Sequence, residues 1–274
     1  MTPSVDASDW YRHPLYYDIA FAEGTREEAD FLEAVLEHYQ QGKRRKKATI
    51  LEPASGSGRL VIEMVRRGHR VDGFDISLPM LRYSRRRAGE LPAEGRDQIS
   101  FRRSRMQSFR GPRNHFDLIH CLLSTFKYLL TEEEAISHLR RAASALRSGG
   151  LYVLGIHLAN YRHPVRDHEQ WIGERDGIRV TCDTITSPAD PSTRLEQLSN
   201  LLRVKRQGIR TVEKIETHWA CRTYDASELR RLIASVPAFE IAGCHDFAHR
   251  IGCTRLLDDS KEDIVVVLRK GVMS

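Results

Sequence analysis

Two periods organise the apolar positions of this chain. Over residues 26–39, "REEADFLEAVLEHY", Ala29, Leu32, Val35 and Leu36 fall three or four apart and share one helical face. A polar basic run from Lys43 to Lys47 follows, and then a short apolar strand over 48–51. Leu60, Val61, Met64 and Val65 return to helical spacing over 58–67, and Gly68 suits the left-handed residue that ends a helix. Residues 69–75 read as a second strand. Ser77 and Pro79 then mark a helix start, and that helix runs toward Gly89. Strands follow over 99–103 and 115–123, a helix over 132–146 closed by Gly149 and Gly150, and a fifth strand over 150–158. Strands alternating with helices predict a parallel sheet covered on both faces.

After His163 the rhythm changes. Residues 177–186, 194–205 and 210–222 read as strands without intervening helices, with Ile215, Thr217, Trp219 and Cys221 on one face of the last. The turn-rich "SPADPS" over 187–192 separates two of them. The spacing predicts an antiparallel insertion over 165–222. A helix over 226–236 and strands over 239–247 and 263–269 lead back to the main sheet. The expected organisation is a helical lead-in over 1–47, a Rossmann-like α/β domain over 48–164 and 223–274, and the insertion between its halves.

Candidate chemistry concentrates in "ILEPASGSGRL", residues 50–60. A strand that runs into a glycine turn and then a helix is a nucleotide-binding arrangement. A dinucleotide turn reads GxGxxG, and here Gly56 and Gly58 match while Val61 stands at the third glycine. Glu52 ends the strand. A carboxylate repels a pyrophosphate and attracts an amino group. Asp75 ends the next strand, where an acid accepts hydrogen bonds from ribose hydroxyls. A nucleoside carrying an amino-acid tail satisfies both ends, and S-adenosylmethionine is such a molecule.

The motifs from Glu52 to Gly58, then Asp75, Ser77, Met80 and Leu81, resemble the class I S-adenosylmethionine-dependent methyltransferases: an acid, G/A-x-G-x-G, a second acid, then S-x-x-M-L. The likeness covers roughly residues 48–160 and 223–270. The lead-in "WYRHPLYYDIAF" and "CLLSTFKYL" after the fourth strand look like the bacterial small-molecule members. The resemblance implies a seven-stranded, mostly parallel sheet. It implies cofactor contacts at Glu52, Ala54, Gly56 and Gly58 for the methionine part, Asp75 for the ribose, Ile76, Met80 and Met106 around the adenine, and Leu122 near the methyl group. It also implies that the insertion covers the acceptor site or builds a homodimer contact. Arg105 departs from the pattern: the family often has an acid there, and a guanidinium accepts no hydrogen bond.

Tyr17 and His157 are the candidate acceptor contacts. His157 ends the fifth strand and doubles as a candidate general base or a structural histidine. Tyr11, Tyr16 and Tyr17 line the cofactor mouth or pack the N-terminal helix. Asp190, Arg194 and Glu196 are expected to form a surface salt-bridge network. The five cysteines are scattered without metal spacing, so no metal is expected. The net charge of +6 comes from 43 Lys and Arg against 37 Asp and Glu, clustered near 43–47, 82–87 and 101–110. No RNA-binding module accompanies that charge, which disfavours nucleic acid as partner. No window approaches the roughly 18 apolar residues that span a bilayer, and the N-terminus lacks an apolar signal core. The expectation is a cytoplasmic enzyme with a small-molecule acceptor. A nucleic-acid or protein methyltransferase and a non-catalytic relative are the alternatives.

Overall fold

The computed structural model describes residues 10–40, 47–260 and 262–271. Most of the basic run at 43–47 therefore lies outside the described residues. Seven strands form the main sheet: β1 (Thr49–Pro53), β2 (Arg70–Asp75), β3 (Ile99–Arg103), β4 (Phe116–Cys121), β5 (Leu146–His157), β10 (Phe239–His245) and β11 (Asp263–Lys270). Their order is β10-β11-β5-β4-β1-β2-β3. The pairings from β5 through β3 are parallel, and β11 runs antiparallel to both of its neighbours. The order of strand addition reverses between β1 and β4, which opens the crevice at the strand carboxyl ends where such sheets bind ligands.

The helices cover both faces. On one side α2 (Thr25–Tyr39) and α3 (Arg59–Arg66) bury Ala29, Leu32, Val35, Leu36, Leu60, Val61 and Met64 against Ile50, Leu118 and Val153. On the other, α6 (Glu132–Ala145) and α7 (Ala226–Ala234) pack on Leu51, Ile119 and Leu154. The periodic positions read from sequence are thus the core positions. One boundary differs. The glycine pair 149–150 does not separate helix from strand, because β5 begins at Leu146, directly after α6. Pairing with β4 shifts register between Phe116 and Leu118, and Gly149 absorbs the irregularity at φ +74°.

Residues within 165–222 form a second, antiparallel sheet of four strands in the order β6-β7-β8-β9. The expected three are β7 (Ile178–Thr186), β8 (Leu195–Arg206) and β9 (Glu213–Arg222). The fourth, β6 (Asp167–Arg175), was not legible because its sequence is polar and none of its residues is fully buried. Val180, Cys182, Leu202, Val204, Ile215, Trp219 and Cys221 face inward against Trp10, Tyr16, Ile19 and Ala20 of the lead-in. That lead-in contains the helix α1 (Pro14–Ala20). The approach is close: a Cβ on Gly173 would lie 1.9 Å from the Ile19 carbonyl oxygen.

Candidate functional site

The glycine turn forms where β1 ends. Ala54, Gly56 and Gly58 all take positive φ, at +51°, +53° and +72°. The Ser55 amide donates to the Phe74 carbonyl at 2.9 Å, which ties the turn to the end of β2. Gly58 has a second constraint. A Cβ there would lie 2.9 Å from both the Phe101 ring and Ser84 Cβ, so α3 starts only because no side chain intervenes. Asp75 braces the same turn: its Oδ2 accepts from the Gly56 amide at 2.9 Å and its Oδ1 from the Ser77 amide at 2.7 Å. Burial pushes the Asp75 carboxyl up, while the amides of Ser77, Gly56 and Ile76 pull it down. Each oxygen retains lone pairs for further donors.

Glu52 lies beneath the turn. The Val61 amide in the first turn of α3 favours its charged form. Its Oε2 is buried and has no hydrogen-bond partner. Burial pushes the carboxyl up to about 8; Arg59 opposes the shift, and the charges of Glu28 and Asp75 reinforce it. Arg59 cannot neutralise Glu52 fully, because its Nη2 already donates to both Glu28 oxygens at 2.8 Å and its Nη1 to Thr25 Oγ1 at 2.9 Å. A buried, unpartnered acceptor that favours positive charge fits the amino group of a methionine tail. Asp75 stands on the far side of the turn, held there by the Gly56 amide.

The lead-in closes over this region. The Tyr17 ring lies 3.6 Å from where a Gly56 Cβ would stand. Asp18, 1% exposed, binds four partners: Ser57 Oγ at 2.8 Å, Tyr83 Oη at 3.0 Å, Arg87 at 2.5 Å and Arg175 at 2.8 Å. One carboxylate thereby joins α1 to the glycine turn, to α4 (Leu78–Gly89) and to β6. Trp10 stacks on Trp219 at 5.0 Å, and the hydroxyls of Tyr11 and Tyr128 meet at 2.7 Å. A cavity of about 150 Å³ opens between Phe21, Glu28, Arg59, Leu123 and Trp171.

The remaining candidates divide. Ile76 is 45% exposed at the mouth beyond Asp75, whereas Met80 is wholly buried in α4 beneath it. Met106 is buried and its carbonyl accepts from His138 Nδ1 at 3.0 Å; His138 Nε2 in turn accepts from Tyr152 Oη at 2.9 Å. Burial keeps that histidine neutral, lowering it to about 4. Arg105 points to solvent, and the Gln107 amide is engaged by Glu134 at 3.0 Å. Leu122 is buried after β4. His157 is half-buried at the end of β5. Its Nδ1 hydrogen-bonds Asp263, whose carboxyl is held low chiefly by that bond. The expected network of Asp190, Arg194 and Glu196 does not form. Glu196 is buried against Lys127 at 2.5 Å, Arg194 pairs with Glu228 at 2.8 Å, and Asp190 folds back on Ser192. Sequence reading missed Asp18, Arg59 and Asp263. Asp18 follows Tyr17 directly, but nothing local reveals that its partners lie 39 to 157 positions away.

Residues 50–150 match a family described as a methyltransferase domain. No curated protein sequence matches the chain. Among solved structures, the chain is similar to the CcbJ methyltransferase from Streptomyces caelestis, at 21% identity and a TM-score of 0.66, covering 91% of this chain and 90% of that one. It is similar to DesVI from Streptomyces venezuelae, at 16% identity and a TM-score of 0.70, covering 95% and 97%. It is also similar to the sugar N-methyltransferase KedS8 from a Streptoalloteichus species, at 16% identity and a TM-score of 0.69, covering 95% and 93%. Residues 50–150 therefore match a methyltransferase domain, in a chain that shares its fold with solved methyltransferases.

Proposed function

We propose that the chain transfers a methyl group from S-adenosylmethionine to a small-molecule acceptor held between the carboxyl ends of β4 and β5 and the inner face of the second sheet. The observation that carries the reading is the unpartnered Oε2 of Glu52 beneath a glycine turn whose other side presents Asp75. The cofactor supplies an already activated methyl group, so the protein's work is orientation and exclusion of water. Glu52 holds the amino group and Asp75 the ribose. Ile76 and the Met106 backbone flank the adenine, and His138 fixes the Met106 carbonyl. Tyr17 and the aromatic cluster around Trp10 and Trp219 exclude water from the methionine end. His157, oriented by Asp263 through Nδ1, leaves Nε2 free to take a proton from an acceptor that arrives protonated.

Among the similar structures, KedS8 is a sugar N-methyltransferase and CalS10 an amino pentose methyltransferase. Both support a small acceptor and put amine-bearing sugars first in a screen. The buried thiols Cys121, Cys182, Cys221 and Cys244 suit a reducing compartment, which supports a cytoplasmic location. Among the described residues no helix is long and apolar enough to cross a membrane. The test is titration calorimetry with S-adenosylmethionine, S-adenosylhomocysteine and NAD. Binding of the first two and not the third is expected; binding of NAD alone would sink the reading.

A further inference from the structure

A polar row crosses the inner face of the second sheet. Glu169 on β6 pairs with Thr184 on β7, Thr184 with Asn200 on β8, and Asn200 with Thr217 on β9. Residues level across paired strands leave the same face of a sheet. That face is the inner one, since Trp171, two residues beyond Glu169, packs there with Cys182, Leu202 and Ile215. Thr184, Asn200 and Thr217 are buried, and a buried polar group costs free energy unless something satisfies it. Part of the row is satisfied from within. Asn200 Nδ2 donates to Thr184 Oγ1 at 2.8 Å, and Thr217 Oγ1 accepts from the Trp10 amide at 3.2 Å. Two acceptors are left over. Asn200 Oδ1 has no partner, and the half-buried Glu169 carboxylate makes no hydrogen bond or ion pair among the described residues.

The charged groups that act on Glu169 come from both sheets: His157 on β5, Asp263 on β11, Asp167 on its own strand and Lys127 in the turn after β4. Each of these is engaged. Asp263 holds His157 Nδ1, Lys127 is paired with Glu196 at 2.5 Å, and Asp167 accepts from the His168 amide at 2.8 Å. The polar row thus ends in an unanswered carboxylate beside the carboxyl end of β5.

We propose that Glu169 selects the methyl acceptor by charge, holding a protonated amine next to His157. This deepens the acceptor reading above and rests on it. Both unanswered groups of the row are acceptors, so the ligand that fits brings donors. Glu169, Asp167 and Asp263 face one ammonium, and Glu196 already occupies it, so the ligand also brings positive charge. Burial raises the Glu169 carboxyl, His157 opposes the shift, and Asp167 and Asp263 add to it. A cation at this place removes that cost. A protonated amine has no lone pair to offer a methyl group. His157 Nε2, left free because Nδ1 bonds Asp263, takes the proton, and the N–H bonding pair stays on the nitrogen as its lone pair.

The experiment measures acceptor binding to protein saturated with S-adenosylhomocysteine, by calorimetry at pH 7. The probes are two matched pairs, 3-amino-3-deoxyglucose with glucose and cyclohexylamine with cyclohexanol, in which an ammonium replaces a hydroxyl. At least one amine is expected to bind about tenfold tighter than its hydroxyl counterpart, the effect of one charge-assisted hydrogen bond. Glu169→Gln keeps the size and removes the charge. It is expected to erase the preference and to leave S-adenosylhomocysteine affinity unchanged, whereas Glu169→Asp is expected to keep most of the preference. A preference that survives in Glu169→Gln, hydroxyl compounds that bind as tightly as their amines, or no amine binding at all overturns the proposal. Wild-type protein that does not bind S-adenosylhomocysteine sinks the cofactor reading instead.

Discussion

Glu52→Gln tests the site most directly, because the geometry predicts opposite effects on stability and on binding. Burial raises the Glu52 carboxyl from 4.5 to about 8, which separates its two protonation states by at most about 5 kcal/mol. The unfolded chain releases this proton near 4.5, while the folded chain holds it until about 8. Between those values the folded state binds more protons, so stability falls as pH rises, by about 1.4 kcal/mol per pH unit. Glutamine removes that slope. Its amide leaves a buried donor unpartnered, at a cost of about 1–2 kcal/mol. The variant is therefore expected to be no more stable than wild type at pH 5, and about 3 kcal/mol more stable at pH 8–9. Urea denaturation of both proteins without ligand, at each pH from 5 to 9, measures the difference. Other titrating groups are common to both proteins and cancel. The same substitution is expected to weaken S-adenosylhomocysteine, which in the wild type binds more weakly as pH falls from 8 toward 5 because Glu52 must first lose its proton. Stability profiles that run parallel at all pH values would refute the account of Glu52 as a buried, uncompensated acid.

Further substitutions probe the neighbouring elements. Asp75→Ala is expected to lower S-adenosylhomocysteine affinity about a hundredfold, the value of two charge-assisted hydrogen bonds, with the far-UV circular dichroism unchanged; wild-type affinity in a folded variant would remove Asp75 from the site. Gly58→Ala places a Cβ 2.9 Å from Phe101 and Ser84 at φ +72°, and is expected to cost about 2 kcal/mol in urea denaturation. Asp18→Ala strands Arg87 and Arg175 and is expected to cost about 3 kcal/mol and to expose the lead-in to proteolysis; an unchanged cleavage pattern would count against its role as a clamp. Lys127→Met leaves Glu196 buried and alone, and is expected to cost about 3 kcal/mol, whereas adding Glu196→Leu restores most of it; additive losses would contradict a mutually dependent pair.

The alternating sheet and helices were legible because each main-sheet element carries its own period. Leu32 and Val35 on α2, and the apolar run of β4, need no distant information to declare helix or strand. The glycine turn, Glu52 and Asp75 were legible too, since a strand end, a turn and a second strand end are local features. The strand β6 was not, because its polar residues become a strand only by pairing with β7, and Gly173 matters only because Ile19 lies against it. Glu196 showed the same limit: its charge predicts exposure, and burial follows only from Lys127 arriving beside it. Sequence by itself determined the fold class and the two acids at the strand ends beside the glycine turn, because periodicity and motif are short-range. Tertiary structure alone decided which charges are paired and which are left without partners. Asp18 is satisfied four times over while Glu52 and His120 are not, because pairing depends on what the folded chain brings within about 3 Å.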